Sequence, residues 1–293
     1  MISTMPNTRQ QQPISNRNSE AIMIQKIKSH KGITLLELLV ASVIAMICTG
    51  AALEVYVSQQ KGWLAQENIS DMQQNGRASI DELVFHIRQA GYSLPGDLEP
   101  ISGANSNPDT ISLVYLKEPV CDATLTEPMP KPSSELKSEP YTIDCFQTDT
   151  WAYIYDPSTD YGEFFFITWV QNASGHIQHN LADLSIAYPA GSVIYMIEVV
   201  TFYVDNTTDP NHPKLMLARV DGIPHIYADN IEDLQITYTL GHGAVVDQFA
   251  SANNIREVNL LLVARTDRHD FITGEDFVRD TFATSVFVRN IAF

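Results

Sequence analysis

The sequence predicts an α+β protein, a long N-terminal α-helix packed on a largely antiparallel β-sheet domain. Three observations carry this. The stretch from Ile33 to Val57 is apolar, with Glu37 and Glu54 its only charges; the segment after it keeps apolar residues at steps of three and four; and beyond Tyr92 the chain breaks into runs of β-branched and aromatic residues separated by Gly, Pro, Asn and Asp. With 293 residues, 44% of them hydrophobic, the chain has the material for a sizeable core.

The apolar run comes first. As a helix its 25 residues span roughly 38 Å, enough for a hydrocarbon core of about 30 Å. Lys26, Lys28 and Lys31 precede it and Lys61 is the first basic residue after it, so the charge bias puts the N-terminus in the cytoplasm and the rest outside. A secretory signal with a cleavage site near "MICTGAA" is the competing reading, and it leaves Glu37 unexplained.

From Val57 onward Ile69, Met72, Gly76, Ile80, Leu83, Ile87 and Ala90 mark one buried face, and Gly91 and Pro95 mark the stop. Gly50, Gly62 and Gly76 are the weak points of this helix, the places that could bend or melt. The expected strands begin at Thr110, Thr150, Glu163, Val193, Lys214, Asp233, Val258 and Phe282, with "VIYMIEVVTFYV" from Val193 taken as one strand. Three regions follow: 1–32, a helix over 33–91 whose membrane part is 33–57, and a β-rich domain over 92–293.

Composition narrows the function. The 35 acidic and 18 basic residues give a formal charge of −17, which repels polyphosphates and makes nucleic acid an unlikely direct partner. Of the three cysteines, Cys48 lies in the apolar run, and none has zinc-ligand spacing. Cys121 and Cys145 would lie in an oxidising compartment and are a candidate disulfide, worth roughly 3 kcal/mol by loop entropy; two free buried thiols are the alternative.

Lys31-Gly32 followed by Ile33-Thr34-Leu35-Leu36-Glu37-Leu38-Leu39-Val40-Ala41 resembles the prepilin motif of type IV pilins and pseudopilins. The resemblance implies that a membrane peptidase cuts between Gly32 and Ile33, that Ile33 is then N-methylated, and that Glu37 is an assembly contact. Ile33 departs from the commoner phenylalanine. Cleavage creates an amine at Ile33, and a neighbour's Glu37 can pair with it in an apolar filament core where neither charge is stable alone. A 32-residue leader is long for this class, and a start at Met23 would give the shorter "MIQKIKSHKG".

The segment "QQNGRASIDELVFHIRQAGY" resembles the PilW-type minor pilins through Asn75, Arg77, Arg88, Ala90, Gly91 and Tyr92. "IYADNIEDLQITYTL", "IREVNLLLVART" and "TSVFVRN" resemble their closing strands, whereas 118–140 has no counterpart there. The family implies a minor pilin that takes part in initiation or tip assembly of a type IV pilus. Its partners would be prepilin peptidase, other minor pilins, the major pilin and the inner membrane, with the C-terminal domain in the periplasm and later on the pilus. The alternatives are a J-type minor pseudopilin of type II secretion, or a tip adhesin module exposing 118–140. An open sheet edge is a further possible contact with partner subunits.

No catalytic constellation, cofactor motif or metal set is expected. His176 and His179 in "HIQH" would need helical geometry to share a metal, and this stretch is expected to be a loop between strands. Asp205 to Asn211, "DNTTDPN", offers oxygens to calcium without the glycine and glutamate of an EF-hand loop, and a solvated turn is the expected structure.

Overall fold

The computed structural model describes residues 32–96, 98–179, 182–270 and 276–291, in two units, one up to Val55 and one from Tyr56 onward. Lys26, Lys28, Lys31 and the alternative start Met23 lie outside the described residues. The fold is α+β, as the sequence predicts: helix α1 (Leu35–Gln89) followed by antiparallel sheets.

In the first unit every described residue of α1 is exposed. In the second unit the helix is amphipathic. Ala65, Met72, Gly76, Ser79, Leu83 and Ile87 form its buried stripe, and Met72, Leu83 and Ile87 enter the main core with Ala90. The helix runs through the weak points Gly50, Gly62 and Gly76 without a break. At Gly76 the reason is packing, because a Cβ there would overlap the Phe282 ring.

The helix stops where the sequence indicates. Gly91 takes φ +84°, and its N–H donates to Val114 O at 2.9 Å. The last carbonyls, which have no acceptor role inside a helix, are met from the other end of the chain: Asn290 Nδ2 donates to Arg88 O at 3.0 Å and to Gln89 O at 3.3 Å.

The strands in chain order are β1 (Ile101–Ala104), β2 (Thr110–Leu116), β3 (Asp122–Thr124), β4 (Leu136–Lys137), β5 (Thr150–Asp156), β6 (Tyr161–Ile167), β7 (Trp169–Gln171) and β8 (His176–Gln178). Then come β9 (Val193–Tyr195), β10 (Ile197–Asp205), β11 (Lys214–Ala218), β12 (Pro224–Asp229), β13 (Ile231–Leu240), β14 (Val245–Val246), β15 (Ile255–His269) and β16 (Phe277–Phe287). They form four sheets, in the orders β1-β2-β10-β11-β12, β14-β13-β15-β16, β3-β9-β5-β6 and β4-β8-β7. The buried face of α1 shares one core with the first two sheets, through residues such as Leu113, Phe202, Leu234, Leu260 and Val286.

Strands β2 and β10 are neighbours, with Leu116 opposite Ile197, and everything from 117 to 196 is an excursion from the end of that pair. It leaves and returns at one point, where the Lys117 N–H donates to Met196 O at 3.1 Å. The excursion has its own core, including Leu136, Ile154, Ile167, Ile177 and Tyr188. The region 118–140 is thus one flank of a larger folded insertion rather than a free loop.

Two expected strands divide. The run from Val193 splits at Met196: the first part pairs with β5 and the second with β2, because the Met196 N–H turns to Cys121 O at 3.0 Å. The run from Glu163 splits at Thr168, whose N–H donates to Gln178 O at 2.8 Å. The stretch expected as a loop at "HIQH" contains β8, whose Ile177 packs into the second core.

Candidate assembly site at the head of the helix

Thr34 stands just before α1 and Glu37 in its first turn, and the two close on each other. The Glu37 N–H donates to Thr34 Oγ1 at 3.2 Å, while the Thr34 N–H and hydroxyl donate to Glu37 Oε2, each at 3.4 Å. This reciprocal arrangement is a capping box, which satisfies helix N–H groups that have no partner within the helix. The sequence reading identified Glu37 and overlooked Thr34, although the Thr-x-x-Glu spacing signals it.

Both bonds to the carboxylate use Oε2, and Oε1 has no hydrogen-bond partner among the described residues. Among the described residues no cation lies within ion-pair reach of Glu37. Ile33 is 75% exposed and stands beside Gly32 just ahead of the helix. The apolar side chains that follow, Leu35, Leu36, Leu38 and Leu39 among them, are also exposed, and Cys48 is a free thiol among them. This helix is long and apolar enough to cross a membrane. A continuous uncovered apolar surface of this kind is stable against lipid or against other helices, not against water.

Cys121 and Cys145 form a disulfide, with Cα atoms 5.8 Å apart. Cys121 is buried in the insertion's core, so the bond ties the start of the excursion to the segment before β5.

The other candidate ligands do not converge. His176 lies in β8 with Nδ1 3.3 Å from a Glu135 oxygen, and buried His179 sets Nε2 2.8 Å from Ser134 O. An i, i+3 pair at the end of a strand points to opposite faces. In the Asp205 to Asn211 turn, Asp205 Oδ1 accepts from the Thr207 N–H at 3.0 Å, the Thr207 hydroxyl at 2.9 Å and the Thr208 N–H at 3.0 Å. These bonds hold the Asp205 carboxyl well below the usual range and tie its oxygen into a local turn.

Buried His86 serves the seam between helix and sheet. His86 Nε2 lies 3.1 Å from Glu82 Oε1 and Nδ1 lies 2.7 Å from the Tyr115 hydroxyl. A carboxylate only accepts, so Nε2–H donates to Glu82 and, in the neutral ring, Nδ1 accepts from Tyr115. Burial pushes the Tyr115 hydroxyl up to about 12, which keeps it a donor.

Comparison with known proteins bears on the head of the chain. A family model described as the prokaryotic N-terminal methylation motif matches residues 27–53, a segment that contains Gly32, Ile33, Thr34 and Glu37. No curated protein and no solved structure matches the chain. The motif is that of type IV pilins and pseudopilins, whose leader is removed by prepilin peptidase, and together with the exposed apolar helix it supports membrane anchoring.

Proposed function

We propose that the chain is a PilW-type minor pilin, cut between Gly32 and Ile33, N-methylated at Ile33, and used in initiation or tip assembly of a type IV pilus. It is a structural subunit rather than an enzyme. The observation that carries the reading is the methylation-motif match over 27–53, which sets Gly32, Ile33 and Glu37 at the head of an uncovered apolar helix. PilW-type membership draws on the resemblance of Gln73 to Tyr92 and of the closing strands. Removing residues 1–32 leaves 13 basic and 34 acidic residues, a net charge of −21.

In this mechanism Glu37 has two roles. Oε2 caps its own helix through Thr34, and Oε1 receives the methylated amine of a neighbouring chain's Ile33. Before assembly the carboxylate sits near the cytoplasmic edge of the membrane. In the filament the two charges are buried together, and removing one strands the other at a cost of about 3–5 kcal/mol. Prepilin peptidase, other minor pilins, the major pilin and the inner membrane are the partners this implies. A J-type minor pseudopilin shares the leader and helix, and the separately cored insertion at 117–196 supports the larger, pilus-type globular part. The same insertion supports an added adhesin role.

Glu37→Val tests the mechanism. Leader cleavage and membrane insertion should persist while pilus number on the cell surface falls severalfold. Wild-type pilus numbers in that strain would remove Glu37 from assembly.

A further inference from the structure

We propose that the free edge of β16, from Thr281 to Phe287, is a docking strand for an extended segment of a different protein chain, which joins the β14-β13-β15-β16 sheet as its next strand. This rests on the reading of the chain as an assembly subunit and names the surface that assembly uses.

Among the described residues the four sheets have eight edges, and seven are short or closed. β4 and β14 have two residues each, β3 and β7 three, and β1 four. β12 opens on Pro224. β6 is guarded by its own Glu163, which takes the Ser185 N–H at 2.8 Å and holds that segment beside the strand. Where β14 leaves β13 uncovered, Asp109 closes the gap, accepting the Ile236 N–H at 2.7 Å and donating its own N–H to Leu234 O at 2.8 Å. β16 has 11 residues.

Register fixes which backbone groups face outward. Val286 lies opposite Val258, and the Val288 N–H donates to Arg256 O at 3.1 Å. In an antiparallel pair the alternation then turns the even residues of β16 toward β15 and the odd ones toward the free edge. At the start of the strand that edge is blunted. The N–H groups of Phe277 and Thr281 are taken by Asp276 and Asp280 at 2.7 and 2.9 Å, and Arg279 is clamped by Glu232 and Asp276.

Beyond it, the outward N–H groups of Ala283, Ser285 and Phe287 have no backbone partner among the described residues. The stretch Thr281–Phe287 contains no charge, proline or glycine, so it lacks the devices that keep an edge from pairing. The side chains of Thr281, Ala283, Ser285 and Phe287 are exposed.

The occupant's chemistry follows. Alternating main-chain donors and acceptors match another extended backbone. Next to Ala283 and Ser285 on the outer face there is room for β-branched residues, and beside Phe282 and Val286 the environment is apolar, so the partner strand is uncharged at its centre. A second copy fits poorly. Two chains of formal charge −17 repel, so the partner strand comes from a different chain.

The test uses the full chain at native expression with its natural envelope partners, extracted in mild detergent and sized by native mass spectrometry. The complex is also followed by hydrogen exchange at single amides. We expect the wild type in a hetero-complex in which the Ala283, Ser285 and Phe287 amides exchange at least about tenfold more slowly than in the chain alone. Ala283→Pro removes an outward N–H without touching the β15 bonds, and should cut the complexed fraction at least about fivefold with unchanged thermal stability, while Ala283→Ser behaves as wild type.

A hetero-complex with those amides unprotected overturns the docking strand and leaves the assembly reading intact. A complex of two identical copies overturns the occupant. A wild-type chain that remains monomeric beside its partners overturns both. Should Ala283→Pro fail to fold, the exchange pattern of the wild type decides alone.

Discussion

His86 shows how a single residue can couple the helix to acidity. It is 3% exposed between α1 and the first sheet, and burial holds its imidazole below the ordinary value of 6.5, an effect that Glu82 offsets only in part. The folded state therefore keeps the ring neutral where the unfolded chain already binds a proton. Stability contributed here is full above about pH 7, and it falls as the pH drops through 6.5 toward the lowered folded value. The urea midpoint should accordingly fall more between pH 7.5 and 5.5 in the wild type than in His86→Gln. Equal losses in both proteins would show that the ring titrates as in the unfolded chain.

At the scale of elements, the C-terminal part of α1 meets β16 where Gly76 faces the Phe282 ring, and Asn290, just after β16, reaches the helix end. Gly76 looks unfavourable by propensity alone, since alanine gains about 1 kcal/mol in a helix interior. The Phe282 ring reverses that sign. Gly76→Ala should destabilise the otherwise native protein by about 1–2 kcal/mol and stabilise the Phe282→Ala background, a coupling readable in a thermal or urea double-mutant cycle. Additive effects would mean that the ring does not occupy the glycine's space. The sequence reading saw this glycine as a weak point because helix propensity is local, whereas the ring arrives from a strand some 200 residues later.

The same contrast explains the strands. Runs such as "TISLVYL" and "DLQITYTL" are long enough to display their type, whereas β3, β4, β8 and β14 have three residues or fewer and carry no periodicity. The division at Met196 was hidden for a different reason. Both halves are equally apolar and β-branched, and only the pairing partners differ.

For the whole molecule, the legible part was the head of the chain. Gly32, Ile33 and Glu37 stand out because a charge at a fixed distance from a glycine interrupts a run whose only other charge is Glu54. The insertion at 117–196 was illegible as a unit, since nothing in composition marks where a chain leaves one sheet and returns to it; only the pairing of Leu116 with Ile197 does so. Its disulfide was anticipated from compartment and spacing, and Cys121 and Cys145 are joined. The methylation motif and the exposed apolar helix support membrane anchoring by the head, and the proposed pilin function turns on how that head is processed.

The measurement that tests this most directly is tandem mass spectrometry of the N-terminal peptide from full-length chain recovered from a membrane that contains prepilin peptidase. The expected product begins at N-methylated Ile33. A chain that begins at Met1 or Met23, or one cut within the apolar run near Ala51, would contradict the pilin reading.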